Sequence, residues 1–512
     1  MESEDKPKKN NMETDLAGHT RHKKELRPPF ATIPNIQFSS WKDRRMPEML
    51  WAVLAIGNLT RDEALSFFRH VAKFVEQNPE CHDITLSGIS KLQTEKRIEL
   101  LNHMVAWPKA KEILTPLLFF PSLPAVNEWQ KILESKPTAE DSTNMAKGVD
   151  MVLWHQSQEA TDCRWAKVLC LVVGKKMNFT SNMSESLIEI LEYPNYGDMK
   201  HARPSIRASE IGFPMMDGKL DTTWADHFWS VCHSKTACIP ETSVQEEKRY
   251  FGDCEDWDKQ RKFYLDETLR VRVSMIEHYL DTTKTTAIDY RHEASFGLSF
   301  YVYFLFTEII LSRIDFSITG RLTLRSMVES YITLAYLLKK DDLTLWETYR
   351  RYGNGQAKLV YLKLQELKDK PPAIDEAIMR EIANEDAWQE FTTINIGNWD
   401  TTTLREMSEA TNLKDVYDQY YAWSSGFNHA NWAAVREVAY ERCINPLHRL
   451  HYHPQINYPK MPSVVSDAHK ILNLTLALLG DAYPDFKDRI QIYRLAPITD
   501  PADKPEEDSA IT

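Results

Sequence analysis

One short aromatic stretch combines the side chain types that acid–base chemistry needs. In SSGFNHANW, residues 424–432, and just before it, helical spacing places Tyr421, Ser425 and His429 on one face. A hydroxyl that orients an imidazole is the minimum for a general acid or base near neutral pH. Gly426 inside the stretch predicts that another group approaches the helix closely. The pattern predicts either an acid–base centre or a buried histidine bonded to Ser425 or to a carbonyl group.

A second polar stripe runs through GRLTLRSMVESYITLAYLLKK, residues 320–340. Arg321, Arg325 and Glu329 recur there every four residues. Charges at this spacing are usually solvated, but the remaining positions are apolar enough to indicate that both faces of the helix are covered. A buried arginine must find a carboxylate or an anionic ligand. The stripe therefore predicts either a solvated face or one wall of a polar pocket.

Further polar residues surround the aromatic run FGLSFYVYFLFTEIILSRI, residues 296–314. His292 lies just before this run in DYRHEASFGL, and Glu308 lies within it. We expect Glu308 to be buried and paired with Arg325 or His292, because the run is too apolar to face water. These residues predict a polar pocket on which three helices converge.

Two segments combine thiols with imidazoles, which are the ligands that zinc prefers. CINPLHRLHYHP offers Cys443, His448, His451 and His453, and HFWSVCHSKTACIP offers His227, Cys232, His233 and Cys238. The first spacing matches no zinc finger, its two prolines predict a loop, and a metal would need further ligands from other elements. We therefore predict no metal and no cofactor, and keep Cys443, His448, His451 and His453 as the candidate ligands if a metal is present.

Helix signals dominate the rest of the chain. In NLTRDEALSFFRHVAKFV, Thr60 and Glu63 form a predicted capping box, and Leu65, Phe68 and Ala72 follow at helical spacing. No region shows alternating runs joined by Asn-Gly or Asp-Gly turns. The sequence predicts an all-α fold of multi-helix bundles arranged as two packed helical units.

The ends of the chain differ in composition from the middle. Residues 1–35 mix charges with few apolar side chains, and residues 497–512 are acidic and contain proline, so both are predicted to be disordered tails. Between them we predict an N-terminal helical domain of unknown role at 40–255 and a C-terminal bundle with the polar pocket at 260–495. The working boundary lies near 255–260.

Bulk properties restrict the class of protein. The net charge of −12 and the pI near 5.8 exclude a chain-wide nucleic-acid surface. Seven scattered cysteines and the lack of an apolar leader predict reduced thiols and a cytoplasmic location. The uncharged part of the run at 296–314 stops at Glu308, short of the roughly 20 residues that span a bilayer, so no membrane is expected. Motifs typical of zincins, P-loop proteins and α/β-hydrolases are missing.

The stretch from about 282 to 454 resembles an uncharacterised bacterial helical family, domain of unknown function 5677. The resemblance rests on TTAIDYRHEASFGLSFY, GRLTLRSMVESYITLAYLL and YYAWSSGFNHANW. It covers about a third of the chain and falls on Arg325, Glu329, Tyr421, Ser425 and His429.

That family in turn resembles, more weakly, the HEPN domains of bacterial toxins and antiviral systems. These are helical bundles that often dimerise and cut RNA without a metal, with an Arg and a His a few residues apart on one helix. No Arg precedes His429 at that distance, because Trp423 to Ser425 occupy the positions. Arg325 on the neighbouring helix would have to replace it.

Three hypotheses follow. The first is a non-catalytic binding or regulatory protein, in bacterial stress or phage defence, whose polar pocket either holds a ligand, such as a small anion or RNA, or locks the bundle. The second is a metal-independent ribonuclease in which His429 is the acid or base, Arg325 contacts the phosphate and Glu329 positions the Arg. The third is a metal-dependent hydrolase. Whether the protein is an enzyme stays open, and the HEPN likeness implies a homodimer.

Overall fold

The computed structural model describes residues 19–23, 25–27, 39–177, 184–194, 202–212, 223–241, 254–455 and 461–493. Within these ranges helices dominate, and the strands are four segments of three residues. The prediction of an all-α, multi-helix fold is confirmed.

The predicted tails lie mostly outside the described residues. Within the first one, however, strand β1 (Thr20–His22) pairs antiparallel with β2 (Glu25–Arg27). The hydrogen bonds of an antiparallel pair close locally and need no apolar core. The disorder of the tail as a whole stays a prediction. The tail at 497–512 lies entirely outside the described residues.

The chain divides into two compact units. The first comprises Met1–Val244 and Arg442–Tyr452, and the second comprises Gln245–Glu441 and His453–Thr512. The segment Arg442–Tyr452 was expected in the C-terminal domain, but it clusters with the first unit. Backbone pairing explains this placement, since Ile444 N–H donates to the carbonyl of Ile239 at 2.8 Å and Cys443 forms an antiparallel bridge with Pro240.

Short and medium helices build the first unit. Among its described residues these are α1 (Met46–Glu48), α2 (Leu50–Asn58), α3 (Arg61–Gln77), α4 (Leu86–Lys91), α5 (Thr94–Val105), α6 (Ala110–Leu114), α7 (Val126–Leu133), α8 (Ala139–Leu153), α9 (Gln158–Val173), α10 (Ser184–Glu192), α11 (Ala202–Gly212) and α12 (Thr223–Lys235). A π-helical turn (Trp41–Arg45) and two 3₁₀ turns (Pro79–Cys81 and Thr115–Phe119) supplement them.

Aromatic packing fills the core of this unit. Helix α3 begins with the predicted capping box between Thr60 and Glu63. Behind it, the buried ring of Trp51 meets Phe67 and Phe68 edge to face, each with ring centres 5.7 Å apart. Such contacts bury large apolar surfaces and fix ring orientation, so α2 and α3 are held in one register.

The second unit uses longer helices. Among its described residues these are α13 (Cys254–Thr282), α14 (Tyr290–Leu311), α15 (Ile318–Lys340), α16 (Leu343–Glu366), α17 (Glu376–Ala383), α18 (Leu404–Ala410), α19 (Lys414–Val416), α20 (Ala422–Asn428), α21 (Trp432–Ala439) and α22 (Val465–Ala482). A 3₁₀ turn (Gln389–Phe391) precedes α18, and a π-helical turn (Tyr417–Tyr421) lies between α19 and α20.

Helices α14, α15 and α22 supply most of the core of the second unit, with residues such as Phe306, Ile332 and Leu472 fully buried. Helix α14 is the one described helix long and apolar enough to cross a membrane, and half of its most apolar window is buried within the protein. A buried core helix of a soluble protein has the same length and composition, so this helix alone is weak evidence for a membrane.

Two strands form a second short sheet. Strand β3 (Tyr440–Arg442) pairs with β4 (Tyr452–Pro454). The loop between them contains a 3₁₀ turn (Pro446–His448) and two consecutive left-handed residues, Arg449 and Leu450. This loop carries three of the candidate metal ligands.

Candidate functional site

Arg325 on α15 forms a local clamp. Its Nη1 lies 3.0 Å from Glu329 Oε2, and its Nη2 donates to the Tyr421 hydroxyl at 2.8 Å. The guanidinium carbon also lies 4.7 Å from the centre of the Tyr421 ring. Burial raises the pKa of Tyr421, and the Glu329 carboxylate adds to the shift, so the phenol stays protonated at neutral pH. These contacts join α15 to the π-helical turn. The Arg325 guanidinium is thus already bonded to two side chains of the protein.

His429 lies away from this clamp. Helix α20 ends at Asn428, and the exposed His429 is its C-cap residue, with Nε2 3.5 Å from Asn428 Nδ2. The link to Ser425 runs through the backbone, since His429 N–H donates to the Ser425 carbonyl at 3.1 Å. Eight residues of helix separate Tyr421 from His429 by about 12 Å along the axis. Among the described contacts the His429 imidazole lies against Asn428, and no side-chain bond joins it to Ser425.

Gly426 has the close neighbour that its presence predicts. A Cβ added there would lie 2.5 Å from Nδ2 of Asn431. Asn431 is the N-cap of α21, and its Oδ1 accepts from the backbone N–H of Ala434 at 3.0 Å. The close approach therefore serves the turn between α20 and α21.

The predicted pocket around Glu308 is not formed. His292 is buried and lies with Nε2 2.9 Å from Thr282 Oγ1, and burial lowers the pKa of His292 so that its ring is neutral at pH 7. Glu308 is exposed and accepts from the Ser312 hydroxyl at 2.7 Å. The expectation that Glu308 is buried and paired with Arg325 or His292 is wrong. Helix α14 buries only part of its circumference, and Glu308 falls on the exposed side with Phe304.

Arg321 is the buried charge of the stripe on α15. Its nitrogens donate to the carbonyl groups of Asp315 at 2.9 Å, Ser317 at 3.1 Å and Pro462 at 2.5 Å. Backbone carbonyl groups therefore accept from both terminal nitrogens of this guanidinium, where a carboxylate or a ligand anion was expected, and its buried Nε has no partner among the described residues.

A cavity of about 380 Å³ lies elsewhere in the second unit. Residues of α14, α15, α22 and the loop after α18 line it: Arg291, Tyr331, Ala335, Leu338, Lys339, Thr411, Leu413, Leu478, Asp481 and Ala482. The predicted catalytic residues are not among them. Arg291, which lines the cavity, directly precedes the candidate residue His292 in the sequence.

In the first unit, two thiols and two imidazoles form a compact cluster. Cys238, Cys443, His448 and His451 each direct one potential ligand atom to a common point, and these atoms all lie within 4.8 Å of one another. His448 Nδ1 lies 3.4 Å from Cys238 Sγ and 3.6 Å from Cys443 Sγ, and His451 Nε2 lies 3.3 Å from Cys238 Sγ.

Local backbone geometry brings these four residues together. Cys238 follows the end of α12, and its neighbour Ile239 donates its backbone N–H to Cys443 Sγ at 3.4 Å. Cys443 N–H in turn donates to the His451 carbonyl at 2.8 Å, which closes the loop after β3. Two left-handed residues, Arg449 and Leu450, separate His448 from His451. They reverse the chain, so both imidazoles lie close to the two thiols.

His448 is prepared to act as a neutral ligand through Nδ1. Its Nε2 lies 2.9 Å from the Thr236 hydroxyl and 3.1 Å from the Thr236 carbonyl oxygen. Burial lowers the pKa of His448, with a further contribution from His451, so the ring is uncharged at neutral pH. Partial desolvation of the thiol and the adjacent Cys443 raise the pKa of Cys238, although the residue is exposed.

The sequence prediction divided this cluster between two segments and included residues that lie elsewhere. His453 lies with Nδ1 3.9 Å from Glu441 Oε1, and Cys232 is buried in the apolar core. His233 lies beside the cluster, with its ring centre 5.1 Å from that of His448, but it is not one of the four. One feature of the sequence could have indicated that the two segments form a single site. Each segment contains both Cys and His close to a proline, Pro240 in one and Pro446 in the other.

Comparison with known proteins identifies one family. Residues 292–440 match the model described as "Family of unknown function (DUF5677)". The resemblance drawn from the sequence is confirmed for this part of the second unit. No curated protein and no solved structure matches the chain.

Proposed function

We propose that this protein is a non-catalytic helical binding protein whose second unit takes a small ligand with an apolar body and an anionic group. The observation that carries the proposal is the cavity of about 380 Å³. Small-molecule sites typically have volumes of about 300–1,000 Å³ and combine an apolar lining with a few placed polar groups.

Two cations give the cavity its preference for an anion. Arg291 and Lys339 line it, against the single carboxylate of Asp481. Arg291 Nε donates to Asp341 at 2.6 Å, which holds the guanidinium at the rim. Lys339 Nζ donates to the Ala410 carbonyl at 2.6 Å, and an ammonium group has two further donors.

The rest of the lining suits an apolar body. Ala335, Leu338, Leu413 and Leu478 contribute aliphatic surface. Burial raises the pKa of Tyr331, so its hydroxyl remains a protonated donor within this lining at neutral pH. A ligand that offers both an apolar surface and a negative group would use both parts of the cavity.

A HEPN-like ribonuclease is the second candidate. The exposure of His429 favours it, because a catalytic imidazole must reach the substrate. The clamp of Arg325 with Glu329 and Tyr421 counts against it, since the phosphate-binding group would first have to leave these partners. The cytoplasmic setting is part of this proposal, and the six described cysteines, none of which forms a disulfide, support it. A role in stress or phage defence stays a proposal from the sequence resemblance.

The binding proposal is tested with 8-anilinonaphthalene-1-sulfonate, an aromatic probe with one sulfonate. We expect its fluorescence to rise on binding and its affinity to fall about 10-fold or more in Lys339→Met, because a hydrogen bond to a charged group contributes about 1.5–3 kcal/mol. Arg291→Gln should weaken binding to a similar degree. The uncharged parent amine, which lacks the sulfonate, should bind equally weakly to wild type and to both variants.

Lys340→Met is the matched control. Lys340 adjoins Lys339 on α15 and is exposed, but it lies outside the cavity, with Nζ 5.6 Å from the centre of the Tyr336 ring. It should bind the sulfonate probe like wild type. Equal affinity in wild type, Lys339→Met and Arg291→Gln would show that the probe binds elsewhere and would refute the assignment of the cavity.

A further inference from the structure

We infer that Cys238, Cys443, His448 and His451 bind one Zn²⁺ ion. The four donor atoms converge within 4.8 Å, which requires two chain segments about 200 residues apart in sequence to meet. Thiolate and neutral imidazole are the ligands that zinc selects over harder cations. The inference concerns the first unit and is independent of the ligand proposed for the second.

The separations between donor atoms match a tetrahedral site. With Zn–S near 2.3 Å and Zn–N near 2.0–2.1 Å, tetrahedral angles place S and N about 3.5 Å apart. Three of the four sulfur–nitrogen distances in the cluster are 3.3, 3.4 and 3.6 Å, and all donor atoms lie within 4.8 Å of one another. Thiol–imidazole hydrogen bonds would give similar distances without a metal, so the experiment must detect the ion itself.

The surrounding residues hold the ligands as zinc sites require. The carbonyl and hydroxyl oxygens of Thr236 lie within hydrogen-bonding distance of His448 Nε2 and leave Nδ1 directed at both sulfurs. A second partner of this kind fixes the tautomer and the ring orientation of a ligating histidine. Asn445 supports the same arrangement, since its Nδ2 donates to the Thr236 hydroxyl at 3.1 Å and to the Ala237 carbonyl at 2.8 Å.

The composition of the site indicates a structural role. Four protein ligands fill a tetrahedral shell and leave no open position for a water or a substrate. The two histidines also line a cavity of about 430 Å³ in the first unit, whereas the two cysteines do not. The ion would link the segment after α12 to the loop between β3 and β4.

The first experiment measures the metal on the full-length protein, purified without chelator and with a phosphine reductant that keeps the thiols reduced. Inductively coupled plasma mass spectrometry should find about one zinc per chain. After the zinc is removed, Co²⁺ should give the visible ligand-field bands and the near-ultraviolet thiolate band of a tetrahedral sulfur–nitrogen site. A protein that contains no zinc and binds neither Zn²⁺ nor Co²⁺ would overturn the inference.

Cys238→Ser is the decisive variant. Cys238 is exposed and lies outside any regular element, so its substitution is expected to leave the fold intact, which circular dichroism checks. Changing only a residue that hydrogen-bonds to a metal ligand weakens metal binding by about 10–100-fold. Loss of a ligand should therefore weaken zinc affinity by about 100-fold or more in competition with a chromophoric chelator. His448→Gln should abolish the cobalt thiolate spectrum or shift it.

His453→Asn and His233→Gln are the matched controls. His453 lies in the same sequence segment as the ligands, and His233 lies beside them, but neither belongs to the four. Both variants should retain one zinc and the wild-type cobalt spectrum. If Cys238→Ser binds zinc as tightly as wild type, or if a control loses it equally, the assigned ligand set is wrong.

Discussion

Two glutamates show how burial decides what a single charged residue contributes. Glu210 on α11 is fully buried, and the side chains of Arg45, Arg164 and Lys167 surround it. Burial alone would raise the pKa of Glu210, but these three cations outweigh it and lower the pKa. Burial lowers the pKa of Arg164 to about 10. Glu308, by contrast, is exposed and bonded only to a nearby hydroxyl among the described contacts.

Replacing Glu210 should destabilise the first unit strongly. Glu210→Gln leaves buried cations without a carboxylate, and breaking a buried pair of this kind costs about 3–5 kcal/mol. Because the folded pKa of Glu210 is lowered, its stabilising contribution is complete above the unfolded pKa and is lost as the pH falls through the folded pKa. Urea unfolding at pH 7 and at acidic pH should therefore show a gap between wild type and variant that narrows on acidification.

Glu308→Gln provides the comparison for this measurement. An exposed glutamate away from any buried network should change the free energy of unfolding by less than about 0.5 kcal/mol. Equal effects of the two substitutions would contradict the burial described for both residues.

At the scale of elements, the contact between α2 and α8 depends on two glycines. A Cβ on Gly57 would lie 2.5 Å from Gly148 Cα, and a Cβ on Gly148 would lie 2.7 Å from the Val53 carbonyl oxygen. We expect Gly57→Ala to lower the free energy of unfolding by about 1–3 kcal/mol, because the two helix backbones must separate. Thermal denaturation with a calorimetric enthalpy measures this effect.

Gly297→Ala is the matched control for this prediction. Gly297 lies inside α14, and an added Cβ would meet no atom within 4 Å. Alanine has the better helix propensity by about 1 kcal/mol, so this variant should be as stable as wild type or slightly more stable. A destabilised Gly297→Ala, or a stable Gly57→Ala, would contradict the packing described here.

Local rules predicted the elements better than the positions of their side chains. The capping box of Thr60 and Glu63 was predicted because its partners lie three residues apart. The face of Tyr421, Ser425 and His429 was extrapolated over eight residues, but the helix is π-shaped at its start and ends at Asn428. His429 is the exposed C-cap of α20, so its backbone still bonds to Ser425 while its side chain lies at the end of the helix, beside Asn428.

Long-range contacts could not be predicted from spacing alone. Cys238 and Cys443 are separated by about 200 residues, and backbone contacts such as the pairing of Ile239 with Ile444 and the bridge between Pro240 and Cys443 bring them together. The expectation that Glu308 is buried was wrong for a related reason. The hydropathy of a segment does not show which side of its helix faces water. The fold class is an average over many local signals and was therefore predictable, whereas each site depends on a few distant contacts.

At the scale of the whole molecule, net charge bears on whether RNA is a substrate. The chain carries a formal charge of −12, which disfavours approach of a polyanion unless a local basic surface offsets it. The candidate catalytic arginine is engaged with Glu329 and Tyr421, and His429 lies about 12 Å along the helix from that clamp. Among the described residues, neither the net charge nor the engagement of Arg325 favours RNA as a substrate.

We accordingly expect wild type and His429→Ala to leave labelled RNA intact when EDTA is present. Because His429 is exposed, the free energy of unfolding of His429→Ala should lie within about 0.5 kcal/mol of wild type. The two proteins can then be compared at equal stability. A parallel incubation with added Zn²⁺ or Mg²⁺ in place of EDTA tests the metal-dependent hydrolase. The opposite result would be cleavage by wild type that persists in EDTA and disappears in a stably folded His429→Ala. That result would refute the binding proposal and support the ribonuclease, because the His429 imidazole would then act without a metal.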